Sequence, residues 1–139
     1  MILDTSGLLV FLDRRASDQQ RAQRLMDAAN HPLLLSPFVL AEVDYLVSSR
    51  LGVRASRDFL SDVAHGAYQL APMAAADAGA AGRILDRYQD LKIGLADASS
   101  VLIAERHGVA DILTFDQRHF RAMTWGKGRP FRVLPADAA

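Results

Sequence analysis

At 139 residues and 50% hydrophobic, the chain can bury one ordinary core, and no shift in composition divides it, so we expect one domain over residues 1–139. A formal net charge of zero excludes a strongly basic nucleic-acid coat. The absence of cysteine excludes a disulfide framework and thiolate-held metal or iron–sulfur sites.

Ile2-Leu3 is a short apolar run ended by Asp4, and Thr5-Ser6-Gly7 supplies capping groups before Leu8, Phe11 and Leu12 recur at helical spacing. A strand is expected to run into a helix there. Ser17 or Asp18 caps a second helix reaching Ala29, and His31-Pro32 breaks it before the buried-strand run Leu33 to Leu35. Ser36-Pro37 is a helix start, with serine as cap and proline in the first turn, and Gly52 is its stop. Another helix follows from Arg54 to Ala64, then a weak strand from Ala67 to Leu70 and, past Pro72, an alanine-rich helix around Ala74 to Tyr88. Leu95 to His107 reads as a helix with Val101, Leu102 and Ile103 inward, Arg106 at its C-terminal end and Gly108 as stop. Asp111 to Phe115 gives a strand ended by Asp116, and Phe131 to Leu134 a last short strand.

Strands alternating with helices predict an α/β fold, an α/β/α sandwich whose parallel sheet binds ligands beyond the carboxyl ends of its strands. Asp4 and Asp116 both fall at such ends. The N-terminus lacks the basic and long apolar segments of a secretory signal, and no apolar run reaches the roughly 18 residues of a membrane span. A soluble cytoplasmic protein is the simplest expectation.

The candidate site consists of the carboxylates Asp4, Glu42, Asp97 and Asp116, each with a structural alternative. Asp4 suits an N-cap, with Ser6 either capping in its place or orienting it. Glu42 has Phe38, Val39, Tyr45 and Leu46 three and four positions away, so it is expected on an apolar face where a carboxylate needs a cation, an arginine or hydrogen-bond donors. Asp97 could cap its helix through the N–H of Ser99 or Ser100, and Asp116 could open a turn.

A carboxylate cluster without thiols or paired histidines suits hard divalent cations, Mg²⁺ or Mn²⁺, and hence metal-assisted phosphodiester hydrolysis. Residues 117 to 132 carry Arg118, Arg121, Lys127, Arg129 and Arg132 without an acid. This basic strip, and Arg14, Arg15, Arg21 and Arg24, could hold flanking phosphates or form an ordinary solvated face. His119 could donate to phosphate or be structural. Trp125, Phe120 and Phe131 could stack on bases or pack in a core or dimer contact.

Ile2-Leu3-Asp4-Thr5-Ser6, the Ser36-Pro37 to Glu42 helix, Gly94-Leu95-Ala96-Asp97-Ala98 and Leu113-Thr114-Phe115-Asp116 with His119-Phe120 together resemble PIN-domain ribonucleases, in particular VapC toxins of type II toxin–antitoxin pairs. The resemblance covers essentially the whole chain. It implies a five-stranded parallel sheet, a pocket binding Mg²⁺ or Mn²⁺, endonucleolytic RNA cleavage, a VapB-type antitoxin, and a homodimer that can assemble further with that antitoxin. Asp4, Glu42, Asp97 and Asp116 match the family's acidic quartet and Ser6 its hydroxyl position, while Arg118, His119 and Arg121 are candidates for RNA contact. Tyr88 to Gly94 and Thr114 to Phe120 look similar to a branch that includes cleavers of the sarcin–ricin loop of 23S rRNA, whereas other members cut tRNA.

Two other classes compete. A non-catalytic RNA- or protein-binding PIN scaffold would use the acids as caps and salt bridges. A phosphotransfer receiver domain also places acids at strand ends, but it needs an acidic pair after its first strand, where this chain has Asp4-Thr5-Ser6.

Overall fold

The computed structural model describes residues 1–139. Its strands are β1 (Ile2–Leu3), β2 (Leu34–Leu35), β3 (Gln69–Leu70), β4 (Asp111–Leu113), β5 (Thr124–Trp125), β6 (Arg129–Pro130) and β7 (Arg132–Leu134). Its α-helices are α1 (Thr5–Leu12), α2 (Gln19–Ala28), α3 (Pro37–Leu51), α4 (Val53–Ala64), α5 (Ala75–Arg87), α6 (Leu95–His107) and α7 (Gln117–Ala122).

A five-stranded parallel sheet runs in the order β3-β2-β1-β4-β7. The chain builds outward from β1 on one side and returns to the other, so the strand order reverses between β1 and β4. Such a reversal opens a crevice at the carboxyl ends of the strands. Register decides what meets there: Ile2 pairs with Ile112 and Leu3 with Leu113, and the Asp4 N–H donates to the Leu113 carbonyl at 3.1 Å. The next residues, Asp4 and Thr114, therefore emerge side by side.

Both faces of the sheet are covered, which is why its central strands are continuous apolar runs. Successive strand residues point to opposite faces. Ile2 and Ile112 accordingly pack with α5, α6, the hairpin residue Trp125 and Phe131 just after the hairpin, while Leu3 and Leu113 pack with Leu8, Val39, Val43, Val47 and Phe59 of α1, α3 and α4. Helix α6 lies at the centre of its layer and is buried from Ala98 through Ala104, well beyond the three residues expected to face inward.

The expected elements recur with shifted ends. The Ser36 hydroxyl accepts from the Phe38 N–H at 3.1 Å with Pro37 in the first turn, as expected, and Gly52 at φ 99° stops α3. Helix α4 starts at Val53, one residue early. Asp18 precedes α2 without capping it and pairs with Arg21 at 2.9 Å instead. The strand expected to reach Phe115 ends at Leu113, and the last strand begins at Arg132. Absent from the sequence reading were α7, a 3-10 turn at Gln89–Leu91, and the antiparallel β5–β6 hairpin turning at Gly126 and Gly128, both at positive φ.

Candidate active site

Asp4 ends β1 at the centre of the sheet and is only 3% exposed. Its Oδ2 accepts from the Thr114 hydroxyl at 2.7 Å and from the Ser6 hydroxyl at 3.0 Å. Both hydroxyls also accept a backbone N–H, Ser6 from Phe115 at 2.8 Å and Thr114 from Asp116 at 3.0 Å, and they lie 3.0 Å from each other, so the three side chains form one network. The side-chain cap alternative for Asp4 is not realised, since its carboxylate makes no capping hydrogen bond to α1. Burial pushes the Asp4 carboxyl above the usual range, and the hydroxyls and the Thr5 N–H offset only part of that shift. Thr114 was missing from the expected site. The signal for it was the β1–β4 register, which sequence alone does not fix.

Asp97 occupies the first turn of α6, and its Oδ2 accepts from the Gly94 N–H at 3.3 Å. It therefore reaches back to the start of the helix and not forward to Ser99 or Ser100. Those hydroxyls donate to the Ala96 carbonyl at 2.6 and 3.4 Å, and Ser99 Oγ also meets Ser36 Oγ at 2.6 Å, tying α6 to the start of α3. Burial, then the charge of Asp4, pushes the Asp97 carboxyl up to about 6, with Asp116 adding to the rise and Gly94 and His119 opposing it.

Asp116 takes the local role expected of it at a chain turn, and it also faces the other two acids. It precedes α7 and its Oδ1 accepts from the His119 N–H at 3.4 Å, while its charge acts on both Asp4 and Asp97. One turn along α7, His119 Nδ1 lies 2.9 Å from Asp116 Oδ2 and 3.6 Å from Asp97 Oδ2. That nitrogen is buried and, as the side chains stand, makes no aligned hydrogen bond with either oxygen.

Glu42 requires a correction. It is exposed, because the buried stripe of α3 is Val39, Val43 and Val47, and Glu42 sits about 100° around the helix from Val43. Its apolar neighbours do not form a buried face: Phe38 and Leu46 are half-buried and Tyr45 is 71% exposed. The expected need for a buried partner disappears. Asp4, Asp97 and Asp116 act on one another across the crevice, with Glu42 outside that group.

The basic strip also divides. Arg121 forks onto Asp137 at 2.6 and 2.8 Å, pinning α7 to the chain after β7, and Arg132 pairs with Asp111 at 3.2 Å. The Arg129 guanidinium lies 5.3 Å from the Trp125 ring centroid. Trp125, Phe120 and Phe131 are buried, the last two edge to face at 5.4 Å, which removes them as stacking platforms for bases. Arg118 remains exposed on α7, two residues after Asp116.

Hard oxygen donors with raised carboxyl affinities for a positive charge match the donor chemistry of Mg²⁺ or Mn²⁺. As the side chains stand, no three of them are grouped to close on one ion. The fit therefore rests on the oxygen-donor chemistry of three carboxylates that act on one another.

The fold is that of a PIN domain, and the PIN-domain family model matches residues 1–125. The chain is 43% identical over 135 residues to ribonuclease VapC26 of Mycobacterium tuberculosis, a match spanning 97% of this chain and 100% of that protein. It belongs to the PIN-domain family and, within it, to the VapC ribonuclease toxins. The crystal structure of Mycobacterium tuberculosis VapC20, a sarcin–ricin loop cleaving toxin, has the same fold at a TM-score of 0.81 and 22% identity, covering 93% of this chain and 98% of that one.

Proposed function

We propose that this chain is a metal-dependent endoribonuclease toxin whose ion is Mg²⁺ or Mn²⁺ and whose target is structured RNA, foremost the sarcin–ricin loop of 23S rRNA and otherwise tRNA. The observation that carries it is the group Asp4, Asp97 and Asp116, held in a crevice where two of the three carboxyls are pushed up by burial and by one another. Such a group is costly to leave without a cation. Likeness to the sarcin–ricin loop branch, and to VapC20 in fold, supports the rRNA target.

Asp4, Asp97 and Asp116 would hold the ion, and Glu42, exposed on α3, matches the fourth acidic position of the family and would add negative charge. When bound, the ion supplies an acidified water for attack on phosphorus and charge to offset the pentavalent transition state. Ser6 and Thr114 occupy Asp4 Oδ2 and leave Oδ1 for ligation. A VapB-type antitoxin would place an arginine on the same carboxylates, and we expect a homodimer that joins it in a larger complex. The proposed compartment is the cytoplasm; no helix is long and apolar enough to cross a membrane.

The chemistry is tested by mapping RNA ends: 5′-phosphate and 3′-hydroxyl products are expected. Ends carrying 2′,3′-cyclic phosphate would mean attack by the ribose and defeat the water mechanism. Cleavage that survives both Asp4→Asn and Asp97→Asn would mean that these carboxylates are not the catalytic centre, and a wild-type chain that binds RNA without cutting it would favour the non-catalytic scaffold.

Arg118 and Arg121 should separate in the same assay. Arg118→Ala is expected to raise KM for RNA with little change in kcat or melting temperature, because Arg118 is exposed on α7 two residues after Asp116. Arg121→Ala should lower the melting temperature, because its fork is committed to Asp137. Equal effects of the two on KM would return Arg121 to the RNA surface.

A further inference from the structure

The role of His119 is not settled by the nuclease reading, which placed it among residues touching RNA. Its side chain is 20% exposed and lies on α7, three residues after Asp116. One residue meets both Asp116 oxygens: the His119 backbone N–H donates to Oδ1 at 3.4 Å, and the imidazole Nδ1 lies 2.9 Å from Oδ2. The same nitrogen is 3.6 Å from Asp97 Oδ2, so it sits between two carboxylates that otherwise repel each other. The Asp116 side chain is 38% exposed and has no hydroxyl pair of the kind that fixes Asp4. Without the imidazole, the repulsion between Asp116 and Asp97 would be opposed at Asp116 only by the His119 backbone N–H.

We propose that His119 is a positioning residue that holds Asp116 toward Asp97 and so sets the spacing of the two carboxylates for a divalent cation. Resting on the nuclease reading, the proposal assigns His119 no contact with RNA. It requires a nitrogen one bond beyond Cγ, which an imidazole Nδ1 or an asparagine amide supplies and a glutamine amide, one methylene further out, does not.

The test measures Mn²⁺ binding by electron paramagnetic resonance, together with RNA cleavage, for wild type and for His119→Ala, His119→Asn and His119→Gln. His119→Ala and His119→Gln should weaken Mn²⁺ binding by about 10–100-fold, the usual effect of removing a group that orients a ligand, and lower kcat more than they raise KM. His119→Asn should restore both. Mn²⁺ binding by His119→Ala as tight as wild type, or a folded His119→Asn chain no better than His119→Gln, would overturn the proposal. The contact is read separately in the ion-free chain by ¹⁵N NMR, where Asp116→Asn should move the His119 ring resonances and unmoved resonances would also overturn it. A wild-type chain that neither binds Mn²⁺ nor cuts RNA would defeat the nuclease reading, while the ring resonances would still decide whether His119 holds Asp116.

Discussion

Gly7→Ala is expected to be the most destabilising single-methyl change in the molecule. A Cβ at residue 7 would lie 2.2 Å from the Leu113 carbonyl oxygen, 2.7 Å from its carbon and 2.8 Å from Leu113 Cγ. Two of those atoms belong to the backbone of β4 at the centre of the sheet and cannot rotate away. The same carbonyl accepts the Asp4 N–H, so moving α1 outward also moves the carboxylate in front of it. Overpacking usually costs about 1–3 kcal/mol, and a clash with central backbone belongs at or above the top of that range. Against a total stability of about 5–15 kcal/mol this is a large fraction. Gly82→Ala in α5 is the control: nothing lies within 4 Å of its added methyl, and alanine should stabilise that helix by about 0.5–1 kcal/mol. Urea unfolding would show the contrast, and a Gly7→Ala midpoint equal to wild type would mean that α1 and β4 do not approach this closely.

The helix-to-strand contact at Gly7 marks the boundary of what the sequence makes legible. Ile2-Leu3-Asp4 could be read as a strand meeting a carboxylate, because a short apolar run followed by capping residues has a local cause. Ser36-Pro37 could be read for the same reason. Glu42 could not, because apolar neighbours at three and four positions do not show which of them the fold covers, and α3 buries a stripe one position off. Thr114 became a partner of Asp4 only through pairing across more than a hundred residues. Helix α7 and the β5–β6 hairpin are too short to carry a period of their own, so their arginines looked like a continuous basic strip. Pairing with Asp137 and Asp111, and packing on Trp125, commits three of those arginines, and their partners lie outside the strip or are not acids.

Asp97→Asn is expected to cut RNA cleavage more than about 100-fold while leaving the ion-free protein at least as stable as wild type at neutral pH. The two effects share a cause. The Asp97 carboxyl is raised from 3.8 to about 6 by burial and by Asp4, so the folded state keeps a proton that the unfolded chain has already released. Below the unfolded value both states are protonated and nothing is lost. As pH rises through the interval up to about 6, the unfolded state is favoured progressively, and above that the full penalty of a buried charge remains. Burial displaces Asp4 in the same direction and adds to the slope. Asparagine cannot ionise, so the variant should lose the Asp97 part of this dependence and melt no lower than wild type at neutral pH in EDTA. Adding Mn²⁺ should reverse the order, since an ion that binds only the folded state raises the melting temperature of the chain that can hold it. Thermal melts near pH 4.5 and pH 7.5, with EDTA and with Mn²⁺, would measure all of this. An Asp97→Asn chain that melts below wild type in EDTA at neutral pH would mean that the carboxylate is a structural anchor. In that case the crevice would owe its acids to stability, and the case for an ion there would fall with it.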